Sequence, residues 1–74
     1  MSSVVFVDKS HADFVNVCEQ VVERLKRSTI ISKRQSARGY HVLSTISLDR
    51  ARELMQGLGV QVESPYIMQL DPNP

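Results

Sequence analysis

The chain has 74 residues, of which 42% are hydrophobic and 23% charged, and its formal net charge is +1. This length and composition are typical of one globular domain and exclude a fibrous, low-complexity or disordered chain. The longest apolar run, residues 4–7, is too short for a secretory leader or a membrane span. The sequence therefore predicts a cytosolic protein without membrane contact.

Residues 3–31 predict a strand, a long helix and a second strand. Residues 3–8 combine β-branched and aromatic side chains in a run too short for a buried helix. Over residues 10–27 apolar side chains recur every three or four positions, with Ser10 as the N-cap and Asp13 in the first turn. The β-branched residues 29–31 favour a short strand.

The remaining residues predict a loop, a strand, a second helix and a fourth strand. Residues 33–39 are basic and turn-forming, and Gly39 can supply a positive φ. Residues 40–46 are extended in character and pair antiparallel to the second strand. Ser47 caps a helix that Gly57 or Gly59 ends, and either residues 60–62 or residues 66–70 form the fourth strand.

The order strand, helix, strand, strand, helix, strand predicts an α+β fold. It is the split β-α-β, ferredoxin-like two-layer sandwich, in which two helices cover one face of an antiparallel sheet. We expect a single domain over residues 1–70 and a flexible tail over residues 71–74, which contain two prolines. Function is expected on the open sheet face or on the loop at its edge.

Basic residues are concentrated in one part of the chain. Six of the nine lie in residues 24–38, which contain no acid, so the remainder has three basic and eight acidic residues and a net charge of −5. This segregation favours an anionic partner, either nucleic acid or an acidic protein surface. A solvated helix end followed by a charged loop explains the same pattern without a partner. The predicted partner-binding residues are Arg24, Lys26, Arg27, Lys33, Arg34 and Arg38.

Nothing in the sequence indicates catalysis, a metal site or a cofactor. Cys18, the only cysteine, lies on the apolar stripe of the first helix and is predicted to be a small buried hydrophobe. His11 and His41 have no spacing to this thiol that is typical of a metal site. No nucleophile elbow, phosphate loop or pair of carboxylates is present. The sequence predicts a non-enzymatic protein.

Two short segments carry a resemblance to RNA-recognition-motif domains. Residues 5–7, Val-Phe-Val, resemble the family's short motif on the first strand, and residues 38–40, Arg-Gly-Tyr, resemble the start of its longer motif. The resemblance implies that Phe6 and Tyr40 stack on bases of single-stranded nucleic acid, with a phosphate near the arginine. His41 stands where the family has a small residue, and a structural role for both aromatic residues remains the alternative.

The chain as a whole resembles small phage transcription regulators that bind host RNA polymerase. The resemblance lies in its length, its opening residues 1–5 (Met-Ser-Ser-Val-Val) and its basic middle. It implies a non-catalytic activity: binding the N-terminal region of the largest polymerase subunit, blocking initiation and permitting read-through of terminators. Binding to the transcription machinery is thus our first expectation, and binding to single-stranded nucleic acid is the alternative.

Overall fold

The strands and helices follow one another along the chain in the predicted order. A computed structural model describes residues 2–65. Its elements are β1 (Ser3–Asp8), α1 (Phe14–Leu25), β2 (Ile30–Gln35), β3 (Gly39–Ser44), α2 (Leu48–Leu54) and β4 (Gln61–Glu63). Neither helix is long and apolar enough to cross a membrane.

The four strands form one antiparallel sheet in the order β2-β3-β1-β4. Because side chains alternate along a strand, each strand has one row on either face. Val5 of β1 lies opposite Val42 of β3 and Val62 of β4, and all three side chains face the helices. Within residues 2–65 no helix covers the other sheet face, here called the open face. The predicted α+β, ferredoxin-like two-layer arrangement is confirmed.

The core lies between the sheet and the two helices. Leu25 and Val21 of α1 are fully buried against valines of the central strands. Cys18 is half-buried beside this core, and burial raises the pKa of its thiol, so the thiol does not carry the low pKa of a reactive cysteine. The core residues are Val5, Val7, Val17, Val21, Leu25, Val42, Ala51, Met55 and Val62.

The first helix begins three residues later than predicted, and Ser10 does not cap it. The Ser10 N–H and hydroxyl donate to the Asp8 carboxylate at 2.8 and 2.6 Å, which closes a turn after β1. Asp13 occupies the N-cap, but its carboxylate accepts from the Asn16 side chain at 2.9 Å and makes no cap hydrogen bond. Short polar side chains often bond to one another locally in this way instead of capping a helix.

The predicted loop over residues 33–39 is wrong, because β2 continues to Gln35. Ser36 and Gly39 exchange backbone hydrogen bonds, at 2.8 Å from the Ser36 N–H and 3.3 Å from the Gly39 N–H. The loop is therefore reduced to a tight hairpin turn. β2 is an outer strand whose residues after Ile30 are all exposed, and its register against β3 shifts between Ile30 and Ser32.

The second helix begins as predicted. The Ser47 side chain accepts from the Arg50 N–H at 3.3 Å, which is the expected N-cap bond. Of the two candidates for the fourth strand, residues 60–62 correspond to β4. The other candidate, residues 66–70, and the predicted tail over residues 71–74 lie outside the described residues.

Candidate functional site

The six basic residues predicted to bind a partner fall into two separate groups. Arg24, Lys26 and Arg27, the helix-end group, lie at the end of α1. Lys33, Arg34 and Arg38, the hairpin group, lie on β2 and the turn after it. The Lys9 N–H donates to the Arg38 carbonyl oxygen at 2.9 Å, which places the turn near the start of α1. A twelve-residue helix is about 18 Å long, so the structure does not bring the two groups together.

Two residues of the helix-end group already have partners inside the chain. The Arg24 guanidinium donates to the carbonyl oxygens of Leu54 at 2.8 Å and Gln56 at 3.1 Å, so it ties α1 to the end of α2. The Lys26 ammonium pairs with the Glu23 carboxylate at 2.6 Å. The contacts of Arg24 give it a structural role between the two helices, whereas the ion pair of Lys26 is an exposed contact at the end of α1.

The hairpin group has no such partners. Within the described residues, no carboxylate lies within ion-pair distance of Lys33, Arg34 or Arg38, and all three side chains are exposed. Arg34 lies opposite His41 and so belongs to the open sheet face. Lys33 lies opposite Val42, so its side chain points to the sheet face on which the helices lie. The hairpin thus presents three unpaired cations around one sheet corner.

Phe6 and Tyr40 do not lie on the same sheet face. Tyr40 lies opposite Val7 and packs against the core, where burial raises the pKa of its hydroxyl. Phe6 lies opposite His41 on the open face, and the two ring centroids are 4.7 Å apart with a 41° angle between the planes. The aromatic ring that shares a sheet face with Phe6 is therefore that of His41, and not that of Tyr40 as the sequence predicts.

The Phe6–His41 pair lies in the middle of the open face. Both rings are half-buried, and the Nδ1 atom of His41 is covered without a hydrogen-bond partner among the described residues. Beside the Phe6 ring is an open depression of about 600 Å³. Two basic side chains contribute to its lining, which consists of Phe6, Asp8, Lys9, Ser10, Ala37 and Arg38.

The charges around this pair favour a neutral imidazole and an ionised Asp8. Burial lowers the pKa of His41, and the positive charges of Arg34 and Arg38 lower it further. The hydrogen bonds from the Ser10 hydroxyl and N–H lower the pKa of Asp8, and the charge of Arg38 adds to this effect. At neutral pH the open face therefore presents two uncharged rings bordered by arginine.

The lowered pKa of His41 makes the stability of the fold pH-dependent. Unfolded histidine has a pKa of about 6.5, so below that pH the unfolded chain binds a proton more readily than the folded chain does. We expect the free energy of unfolding to fall as the pH decreases through about 6.5 toward the lower pKa of the folded state. His41→Phe keeps an aromatic ring and removes this titration.

Urea denaturation of the parent and of His41→Phe at pH 5 to 8 measures the effect. The free energy of unfolding of the variant should depend less on pH than that of the parent between about pH 6.5 and pH 5, because the variant lacks the His41 imidazole. Equal slopes in the two proteins would contradict the role of His41.

The described residues do not contain a cluster suited to metal chemistry. No group of three or more His, Cys, Asp and Glu side chains within residues 2–65 is placed to hold a metal ion.

Comparisons with known proteins do not place the chain in a family. No family model, curated protein or solved structure matches it at a significant level. The functional interpretation therefore depends on the chain's own residues and on the resemblances already described.

Proposed function

We propose that this chain is a non-enzymatic regulatory protein that docks on bacterial RNA polymerase and inhibits initiation, promotes antitermination, or does both. The choice of partner depends on the resemblance of the whole chain to small phage transcription regulators. The same resemblance implies docking on the N-terminal region of the largest subunit. Such a protein would act in the cytoplasm of the bacterial host, where the polymerase is.

The observation that supports a docking surface is the set of unpaired cations on the β2–β3 hairpin. Arg34 and Arg38 are exposed, and no described carboxylate lies within ion-pair distance of either guanidinium. An arginine guanidinium binds a carboxylate through two parallel hydrogen bonds, a geometry that lysine cannot reproduce. We therefore assign Arg34 and Arg38 as anchors for an acidic patch on the polymerase and Lys33 as a residue that accelerates association.

We place the docking surface on three of the six basic residues that the sequence predicts to bind a partner. Arg24 and Lys26 already have partners within the chain. Docking through Arg24 would break its hydrogen bonds to the end of α2, and docking through Lys26 would break its ion pair with Glu23. Arg27 lies with them at the far end of α1. The hairpin group combines exposure and positive charge at one sheet corner, and none of its members has an ion-pair partner among the described residues.

The test reverses both anchors in Arg34→Glu/Arg38→Glu and measures capture of purified polymerase and promoter-dependent transcription. An arginine at the centre of an interface contributes at least about 2 kcal/mol, so capture should weaken at least about 30-fold. Lys33→Ala should change the affinity little at physiological salt, because a rim lysine acts mainly on the association rate.

The matched control is Arg50→Glu/Arg52→Glu, which makes the same change in net charge on α2, in the helix layer. It should capture polymerase as the parent does, and circular dichroism should show that both double variants are folded. Equal loss in both double variants would mean that net charge, not the hairpin, determines capture. A parent chain that captures no polymerase would exclude the proposed function itself.

A further inference from the structure

We infer that the cleft between the end of α1 and α2 binds a small organic phosphate, such as a nucleoside diphosphate. The inference goes beyond the proposed function, because it assigns a ligand of another class to the helix-end group, which the docking surface does not use. The cleft is here called the helix cleft, and the argument depends on six of its lining residues: Arg24, Arg27, Ser28, Ile46, Arg50 and Leu54.

The helix cleft has the size of a small-ligand site. Its volume is about 370 Å³, within the usual range for such sites, about 300 to 1,000 Å³. One wall is the last turn of α1 with Ser28, and the other is a row on α2 formed by Arg50 and Leu54. Ile46, the residue before the N-cap of α2, completes the lining. A volume of this size suits a compact ligand better than a polymer.

The lining of the helix cleft is strongly positive. It includes four cationic side chains, those of Arg24, Lys26 and Arg27 at the end of α1 and that of Arg50 on α2. Among the described residues, Glu23 supplies the one carboxylate of the lining, and it pairs with Lys26 at 2.6 Å. The net charge of the lining is therefore +3. Like charges gathered at one cleft repel one another, and a bound multivalent anion relieves that repulsion.

Three guanidinium groups have unused donors at the cleft. Arg27 is exposed and makes no hydrogen bond or ion pair with another described residue. Arg24 makes both of its bonds to the end of α2 through Nη1, so the group is held in place and its other N–H donors have no partner among residues 2–65. Arg50 likewise pairs with Glu53 through Nη1 alone. Because a guanidinium binds phosphate through two parallel hydrogen bonds, this set suits phosphate groups.

Carbonyl oxygens at both helix ends beside the cleft are already hydrogen-bonded. The Leu25 carbonyl oxygen accepts from the Ser28 N–H at 2.9 Å and from the Ser28 hydroxyl at 2.7 Å. At the end of α2, the bonds from Arg24 have the same effect. These contacts offset the negative ends of the two helix dipoles. The charges of Arg27 and Arg50 are therefore available to a ligand.

The apolar part of the cleft favours an organic phosphate over a simple anion. Ile46 and Leu54 pack against the core but are only half-buried, and both line the cleft. An uncharged ring placed over them would remove apolar surface from water. A nucleoside diphosphate combines such a ring with two phosphate groups, whereas an acidic peptide would use the cations alone. The ligand class is thus determined by charge and apolar surface together.

Isothermal titration calorimetry with ADP, pyrophosphate and adenosine tests the inference at about 0.15 M salt, where long-range surface attraction is largely screened. We expect ADP to bind more tightly than pyrophosphate, because only ADP covers the apolar side chains. Adenosine should bind most weakly, because it lacks the phosphates. Changes in backbone amide chemical shifts on addition of ADP should be concentrated at the end of α1 and along α2.

Arg27→Gln removes a guanidinium that has no partner among the described residues, so the fold should be unaffected. The affinity for ADP should fall at least about tenfold, because a hydrogen-bonded charge pair is lost. The matched control is Arg52→Gln, which makes the same change in net charge on α2 but outside the lining. It should leave the affinity within about twofold, since an exposed charge outside the site is screened. Circular dichroism checks that both variants are folded.

The test separates this inference from the docking proposal. Arg27→Gln should still capture polymerase, and Arg34→Glu/Arg38→Glu should still bind ADP. A parent that does not bind ADP overturns the inference, and so do equal losses in Arg27→Gln and Arg52→Gln. Equal affinity for pyrophosphate and ADP would overturn the organic ligand. Tighter binding of oligo(dT) or poly-glutamate than of ADP, with the same dependence on Arg27, would show a macromolecular interface instead.

Discussion

Truncation of Leu25 to alanine is expected to destabilise the fold by about 2 to 5 kcal/mol. The side chain is fully buried at the end of α1, where it packs with Val21 against the sheet. Removing it loses the transfer free energy of the deleted atoms and leaves a cavity, since neighbouring side chains relax only partly. A domain of this size is stable by only about 4 to 11 kcal/mol, so the loss is a large fraction of the total.

Urea denaturation followed by circular dichroism measures this effect, and α1 supplies its own control. Val15 lies on the same helix with 70% of its surface exposed, so Val15→Ala removes apolar atoms that are not in the core. That change should alter the free energy of unfolding by about 0.5 kcal/mol or less. Alanine is the better helix former in both substitutions, so helix propensity predicts no loss of stability in either variant. Similar losses in the two variants would contradict the assignment of the Leu25 effect to core packing.

Replacement of Gly39 by alanine is expected to cost about 2 to 6 kcal/mol, the sum of backbone strain and steric overlap. Gly39 has φ = 156°, which side chains rarely adopt. A Cβ atom there would overlap the Val7 carbonyl oxygen and come within 2.9 Å of the Phe6 ring. The close approach of β3 to β1 at this point therefore requires glycine.

Gly57→Ala separates the two contributions. Gly57 also has a positive φ, of 85°, but nothing lies within 4 Å of the position that a Cβ would take. This variant carries only the conformational penalty and should lose about 1 to 2 kcal/mol. The same urea experiment compares the two. If Gly39→Ala costs no more than Gly57→Ala, the contact with Val7 and Phe6 is relaxed without penalty.

Elements encoded by local chemistry were predictable from the sequence. The bounds of β1 were predicted correctly at both ends, because β-branched residues in a short run have few alternatives. Ser47 also has the predicted role, since its hydroxyl has a free helix N–H within reach and no competing partner. Ser10 resembles it in sequence, but Asp8 takes both of its donors.

Features that depend on strand pairing were not predictable in this way. Lys33 and Arg34 are typical loop residues, yet they extend β2 because pairing with β3 outweighs their low strand propensity. The contact between the Phe6 and His41 rings was not predicted for a related reason. Whether Tyr40 or His41 shares a face with Phe6 depends on the β1–β3 register, and a shift of one residue exchanges the two faces.

The outer position of β2 has a consequence for self-association. Among the described strands, β2 pairs only with β3, so its outer edge can accept a strand of a second copy, and Ile31, 54% exposed, adds an apolar side chain there. Lysine and arginine along such an edge and an irregular register both oppose aggregation. The cations that we assign to docking thus also keep copies apart. Arg34→Glu keeps a charged side chain on this edge, so the docking test is made without exposing a neutral outer strand.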